Sequence, residues 1–147
     1  MSARAKPASI RFYVDADLLG LAKLLVQVRS DVTFPGDPGG VLHRRERPAC
    51  VIASTEVLDT VWIPAVAQQG WLIVSRDSNI AAHRAEIEAV RNSGAKMVAL
   101  AGREATTTWN QLEVLLTQWR AIDALTDRPG PFIYSATRSR LRAVPLS

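Results

Sequence analysis

The run Trp71-Leu72-Ile73-Val74-Ser75 carries no alternation of apolar and polar residues. A strand with one wet face would alternate, so this one is buried on both faces, the state of a strand inside a parallel sheet covered by helices. Ile10-Arg11-Phe12-Tyr13-Val14 and Lys96-Met97-Val98-Ala99-Leu100 read as strands too, and Asp31-Val32-Thr33-Phe34 and Phe132-Ile133-Tyr134 as shorter ones. Between them the period changes to that of a helix. Leu18, Leu21, Ala22, Leu25 and Val28 mark one amphipathic helix, with Asp15 or Asp17 as its N-cap. A second runs from about Asp59 to Gln69 and ends at Gly70. Pro64 implies for it either an irregular first turn or a start at Pro64 itself. A third, capped by Arg76-Asp77-Ser78-Asn79, turns Ile80, Ile87 and Val90 inward and stops at Asn92-Ser93-Gly94. The longest, Thr106 to about Leu125, places Trp109, Leu112, Leu115, Leu116, Trp119, Ile122 and Leu125 on one stripe. That stripe reads as a packing face, with a groove for a second copy or a partner as the alternative.

Strands alternating with helices predict an α/β fold of one domain, with a mostly parallel central sheet and helices on both faces. The domain is expected over residues 9–127, with 128–147 as a basic C-terminal tail that packs on it or stays loose. From the Pro35-Gly36-Asp37-Pro38-Gly39-Gly40 breaker cluster to about Ser54 no period is legible, and so long a loop signals function, mobility or a missed element.

At 147 residues, 48% apolar and 22% charged, the chain has the material for a core without staples. One cysteine, Cys50, rules out an intrachain disulfide and a cysteine zinc site, and two histidines, His43 and His83, argue against a His-rich one. Any metal falls mainly to carboxylates, a donor set for Mg²⁺ or Mn²⁺. Cys50 and His83 read most simply as structural. No apolar run reaches the roughly 20 residues of a membrane span and no signal-peptide core is legible, so a cytoplasmic protein is expected. The net charge of +4 is uneven. Arg128, Arg138, Arg140 and Arg142 lie in an acid-free tail, and His43-Arg44-Arg45-Glu46-Arg47 forms a second cluster. Arg44, Arg45, Arg138 and Arg140 are candidate phosphate contacts, with a solvated surface as the bland reading.

Asp15 and Asp77 directly follow buried strands, at the carboxyl ends where ligands bind in an open parallel sheet, and Asp59 opens the helix that leads to the strand before Asp77. Each acid alone is explained by helix capping. Capping does not explain the pair Asp15 and Asp17, nor an aspartate following Ser75-Arg76 at the end of the most buried strand.

Phe12-Tyr13-Val14-Asp15-Ala16-Asp17, Asp59-x-x-Trp62 and Gly70-Trp71-Leu72-Ile73-Val74-Ser75-Arg76-Asp77 resemble, in that order, the three acidic motifs of PIN-like domains, and are similar to those of short PIN-like proteins related to the VapC-type toxins of bacterial toxin–antitoxin modules. The likeness covers about residues 10–100. It implies a metal-dependent endoribonuclease using Mg²⁺ or Mn²⁺, with Asp15, Asp59 and Asp77 holding the ion and Asp17 a fourth catalytic acid. It also implies an RNA substrate and a cognate antitoxin as partner, with a homodimer as a further expectation. Arg76 is then placed to contact phosphate or to pair with an acid. The further acid typical of such toxins has Asp31 and Asp37 as candidates. Packed carboxylates repel, so one takes up a proton unless a cation neutralises them. Three other readings stand beside this one: a PIN-like fold kept only for binding, a receiver-like phosphorylation switch on Asp77 with Lys96, and a haloacid-dehalogenase-type phosphohydrolase on Asp15 and Asp17.

Overall fold

The strands with unbroken apolar runs assemble side by side in the computed structural model, which describes residues 5–77 and 79–147, without the side chain of Glu104. Ser78, assigned above to a helix cap, and the first four residues lie outside the described residues. Among the described residues there are nine strands: β1 (Lys6–Pro7), β2 (Phe12–Val14), β3 (Val32–Thr33), β4 (Gly40–Leu42), β5 (Arg45–Arg47), β6 (Leu72–Arg76), β7 (Lys96–Leu100), β8 (Phe132–Ala136) and β9 (Leu141–Ala143). The helices are α1 (Leu19–Leu25), α2 (Asp59–Gln69), α3 (Arg84–Ser93), α4 (Thr108–Thr117) and α5 (Trp119–Leu125). The main sheet has the order β3-β2-β6-β7-β8-β9 and is parallel except for β9. This is the expected α/β architecture.

Period-2 alternation divides the core between the two faces. Phe12, Val14, Leu72, Val74, Val98 and Leu100 pack with Leu21, Leu25, Val114, Leu115, Ile122 and Leu125 of α1, α4 and α5. Tyr13, Ile73, Met97, Ala99 and Ile133 pack instead with Ile63, Val66 and Val90 of α2 and α3. Both clusters are nearly dry, which is why the strands lack polar alternation.

Four local expectations change. The aperiodic stretch after Pro35 contains β4 and β5, which with β1 form a small separate sheet of order β1-β5-β4. α1 stops at Leu25, so Val28 is exposed instead of joining the apolar face. α2 begins at Asp59 and runs through Pro64, which lacks the N–H to bond the Thr60 carbonyl. Its first turn is already closed by Val61 and Trp62 amides on the Leu58 carbonyl, both at 2.9 Å, and burial of Trp62, Ile63 and Val66 holds it. The long helix is two, broken at Gln118 (φ −99°, ψ 8°), whose side-chain amide donates to the Thr137 carbonyl at 2.9 Å. α4 turns Gln111, Val114 and Leu115 inward, which leaves Trp109 at 76% and Leu116 at 60% exposure, outside the expected stripe.

Residues 132–143 of the segment set apart as a tail form β8 and β9 of the main sheet. Among the described residues no helix is long and apolar enough to cross a membrane.

Candidate metal centre

Parallel pairing of β2 with β6 brings two chain turns to one sheet edge. Val14 is in register with Val74, and the Asp15 amide donates to the Val74 carbonyl at 2.9 Å. Asp15 follows β2 and Asp77 follows β6, so both carboxylates leave from the carboxyl edge. Asp15 caps the short 3-10 turn Ala16–Leu18, its Oδ1 accepting from the Ala16 amide at 2.6 Å. Asp17 lies within that turn. Asp59 stands in the first turn of α2, where its Oδ1 accepts from Trp62 Nε1 at 2.8 Å. The buried Trp62 stacks at a tilt on Tyr13 with 5.1 Å between ring centres, so the Asp59-x-x-Trp62 spacing ties one acid to the core.

Asp15, Asp17, Asp59 and Asp77 line one open cleft of about 400 Å³, together with Arg76, His83, Glu86, Thr55, Val57, Ala16 and Trp62. Two of the titratable groups among these were not expected there. His83, read from sequence as structural, meets Asp77 Oδ2 through Nδ1. Glu86 lies one turn into α3, and the His83-x-x-Glu86 spacing puts both side chains on the same face of the helix start. Donor atoms of Asp77, His83 and Glu86 lie within 4.8 Å of one another. Glu86 thus adds a fifth carboxylate to the cleft.

Neither candidate named for a further acid lines the cleft. Asp31 pairs with Arg29 at 2.7 Å and with Arg11 at 3.5 Å. Asp37 is buried against Arg47. Of the arginines proposed for phosphate contact, Arg76 lines the cleft, and Arg44, Arg45, Arg138 and Arg140 do not. Arg76 Nε donates to the Ala105 carbonyl at 2.6 Å, which fixes the guanidinium at the rim. Arg138 pairs with Glu113 at 3.2 Å. Lys96, which a receiver-like site would need beside the acids, opens β7 at the other end of the sheet and donates to the Thr126 carbonyl at 2.8 Å.

The electrostatics follow from five carboxylates sharing one cleft. Burial lifts the Asp15 carboxyl to about 7 against the pull of the Ala16 amide, and Asp17 and Asp59 add to the rise. Burial also lifts Glu86 to about 7, with Asp59, Asp77 and Asp15 adding and His83 opposing. Asp17 is pushed upward by desolvation, then by Asp59 and Asp77, while Arg76 draws it down. Beneath them, burial and then Asp15 hold the Tyr13 hydroxyl in its neutral form. So much unneutralised negative charge, offered through oxygen donors and one imidazole, fits a divalent cation of the hard class. The residues present therefore match the group that the sequence implies.

A mostly parallel α/β sheet with acids gathered at its carboxyl edge is the class of protein that this fold and cleft define. The sequence model of the PIN like domain matches residues 10–102, and the chain belongs to that family. The match spans β2 through β7 and includes every acid of the cleft. PIN-like domains are commonly nucleases. Comparison with curated proteins and with solved structures gave no match.

Proposed function

We propose that this chain is a metal-dependent endoribonuclease that hydrolyses RNA phosphodiesters, and that it serves as the toxin of a toxin–antitoxin pair. The observation that carries the nuclease reading is the convergence of Asp15, Asp17, Asp59, Asp77 and Glu86 with His83 on one cleft, where among the described residues Arg76 is the one arginine. Such a set is poorly matched to an anionic substrate until a cation is bound. Mg²⁺ or Mn²⁺ held there would polarise a phosphoryl oxygen and acidify a water.

The chain's own residues supply the rest. Asp77, His83 and Glu86, with Asp15 and Asp59, form the donor set. Trp62 fixes the orientation of Asp59, and His83 that of Asp77. Asp17 at the rim accepts a proton from an attacking water, for which its raised affinity for protons suits it. Arg76 keeps guanidinium N–H groups beyond the one given to Ala105, and these face an incoming phosphate. The toxin part of the reading adds a restraining antitoxin, and the exposed Trp109 and Leu116 of α4, with the half-buried Leu112 beside them, support it.

Purified protein is tested on a mixed RNA panel with Mg²⁺, Mn²⁺ or EDTA, beside Asp15→Asn and Asp77→Asn. Cleavage is expected only with a divalent ion and only with both aspartates. Full activity of the Asp77→Asn protein sinks the proposal. Metal binding that is lost in the mutants, but with no turnover of any RNA, assigns the chain to the binding-only reading instead.

A further inference from the structure

The hairpin of β4 and β5 stands outside the cleft, and two of its features are unfavourable by themselves. His43 and Arg44 join the strands as a two-residue turn with φ of 50° and 62°. Two positive φ values call for Asn-Gly, because a Cβ is crowded in that conformation. Here both positions carry large side chains. Beside the turn, Lys6 lies in direct parallel register with Arg45, and like charges set side by side repel.

Lys6, His43, Arg44 and Arg45 are all exposed, and among the described residues none of them has an ion-pair partner. Glu46 alternates to the face of β5 opposite Arg45. The base of the hairpin, by contrast, is fixed. Arg47, on the same face as Arg45, is buried against Asp37 and donates to the Val32 carbonyl at 3.3 Å. Asp37 also accepts from Thr33 Oγ1 at 3.1 Å and from the Gly39 amide at 2.8 Å. A rigid base thus carries a strained, self-repelling cationic tip.

We propose that this hairpin is a docking arm for the phosphodiester backbone of single-stranded RNA, with Lys6, Arg44 and Arg45 as its phosphate contacts. The identity of the polyanion rests on the ribonuclease reading; the arm adds a binding surface apart from the cleft. Beyond Arg76 and a bound cation, a cleft lined by five carboxylates draws little affinity from a polyanion, so cations outside it add to the hold on the substrate. A phosphate between Lys6 and Arg45 replaces their repulsion by attraction to a shared anion. The arginine forks match the oxygens of phosphate and of carboxylate alike, so it is the ribonuclease reading that selects a phosphodiester chain over an acidic protein chain.

The test measures binding of a short mixed-sequence fluorescent RNA by the full chain across a KCl series, in EDTA so that nothing is cut. The parent is compared with His43→Asn/Arg44→Gly and with Arg45→Gln. Each arginine removed should weaken binding and make log K against log salt shallower by about 0.7. The turn variant should at the same time raise the thermal midpoint, because Asn-Gly relieves the turn. Unchanged affinity and slope in both variants overturn the arm, as does a parent that binds no RNA. Polyglutamate binding more tightly than RNA of equal charge also overturns it, in favour of an acidic protein partner. Metal-dependent cleavage by the parent is scored separately. If it persists while the variants bind normally, the arm falls and the ribonuclease reading stands; if it is absent while the slopes shift, the reverse holds.

Discussion

Glu86 and Asp37 show how differently two acids of one chain are used. Glu86 keeps its side chain in the cleft near Asp77 and His83. Glu86→Gln removes a charged donor, and the expected result is a Mn²⁺ affinity lower by roughly tenfold or more, read by calorimetry, with the fold unchanged by circular dichroism. Trp62→Phe keeps the ring in the core but deletes the N–H that holds Asp59, and by the same logic costs about 10–100-fold in metal affinity or activity. Asp37→Ala acts on stability instead. It leaves Arg47 buried and unpaired, which should destabilise by about 3–5 kcal/mol in denaturant unfolding, with no change in metal affinity. The aspartates of the cleft were legible because each sits where a strand ends or a helix starts. Glu86 and His83 were not, because acids and histidines in a polar helix are ordinarily surface. The His-x-x-Glu spacing just after Asp77 was the signal on offer.

Elements were legible in proportion to how dry their surroundings are. β6 and β7 are five-residue strands packed on both faces, and their apolar runs mark them plainly, whereas β8, half-buried at Tyr134 and Ser135, showed only as a short strand in the segment set apart as a tail. The β4–β5 hairpin escaped notice because Val-Leu-His-Arg-Arg-Glu has neither alternation nor the Asn-Gly of a tight turn. The break at Gln118 likewise has no glycine or proline to announce it; a tertiary bond to Thr137 marks it instead. Two glycines separate local from tertiary cost. Gly39 has φ +83°, and a Cβ there would run into the Arg47 carbonyl and the Pro48 and Ala49 backbone. Gly70 has φ +76° but faces open space. Gly70→Ala should therefore cost only the left-handed conformation, about 1–2 kcal/mol. Gly39→Ala should cost clearly more in the same unfolding assay and loosen the hairpin base.

At the scale of the molecule, the cleft makes stability depend on protons and cations together. Asp15 and Glu86 titrate at about 7 in the folded chain, whereas unfolded carboxyls titrate near about 4. Between those values the folded state holds protons that the unfolded state has lost. Their contribution is therefore complete below about 4, falls as pH rises through about 7, and is flat above. Without divalent ions the thermal midpoint should drop across that window. With Mg²⁺ or Mn²⁺ the drop should shrink, because ions replace protons, and the metal-induced gain should be larger at alkaline pH than at acid pH. Melting curves over the window, with EDTA or metal, check this; a gain independent of pH would dissociate the cleft carboxylates from ion binding. The order of the sheet has a consequence of a different kind. Every acid of the cleft precedes β7, but the far side of β7 pairs with β8, whose first residue is Phe132. During synthesis the Met97–Leu100 edge therefore waits for its partner for about 2–6 s at ordinary elongation rates. For that interval the nascent chain presents an apolar, unpaired strand to other nascent chains, and a message broken between those two strands would release the cluster of cleft acids on a sheet that sticks to its neighbours.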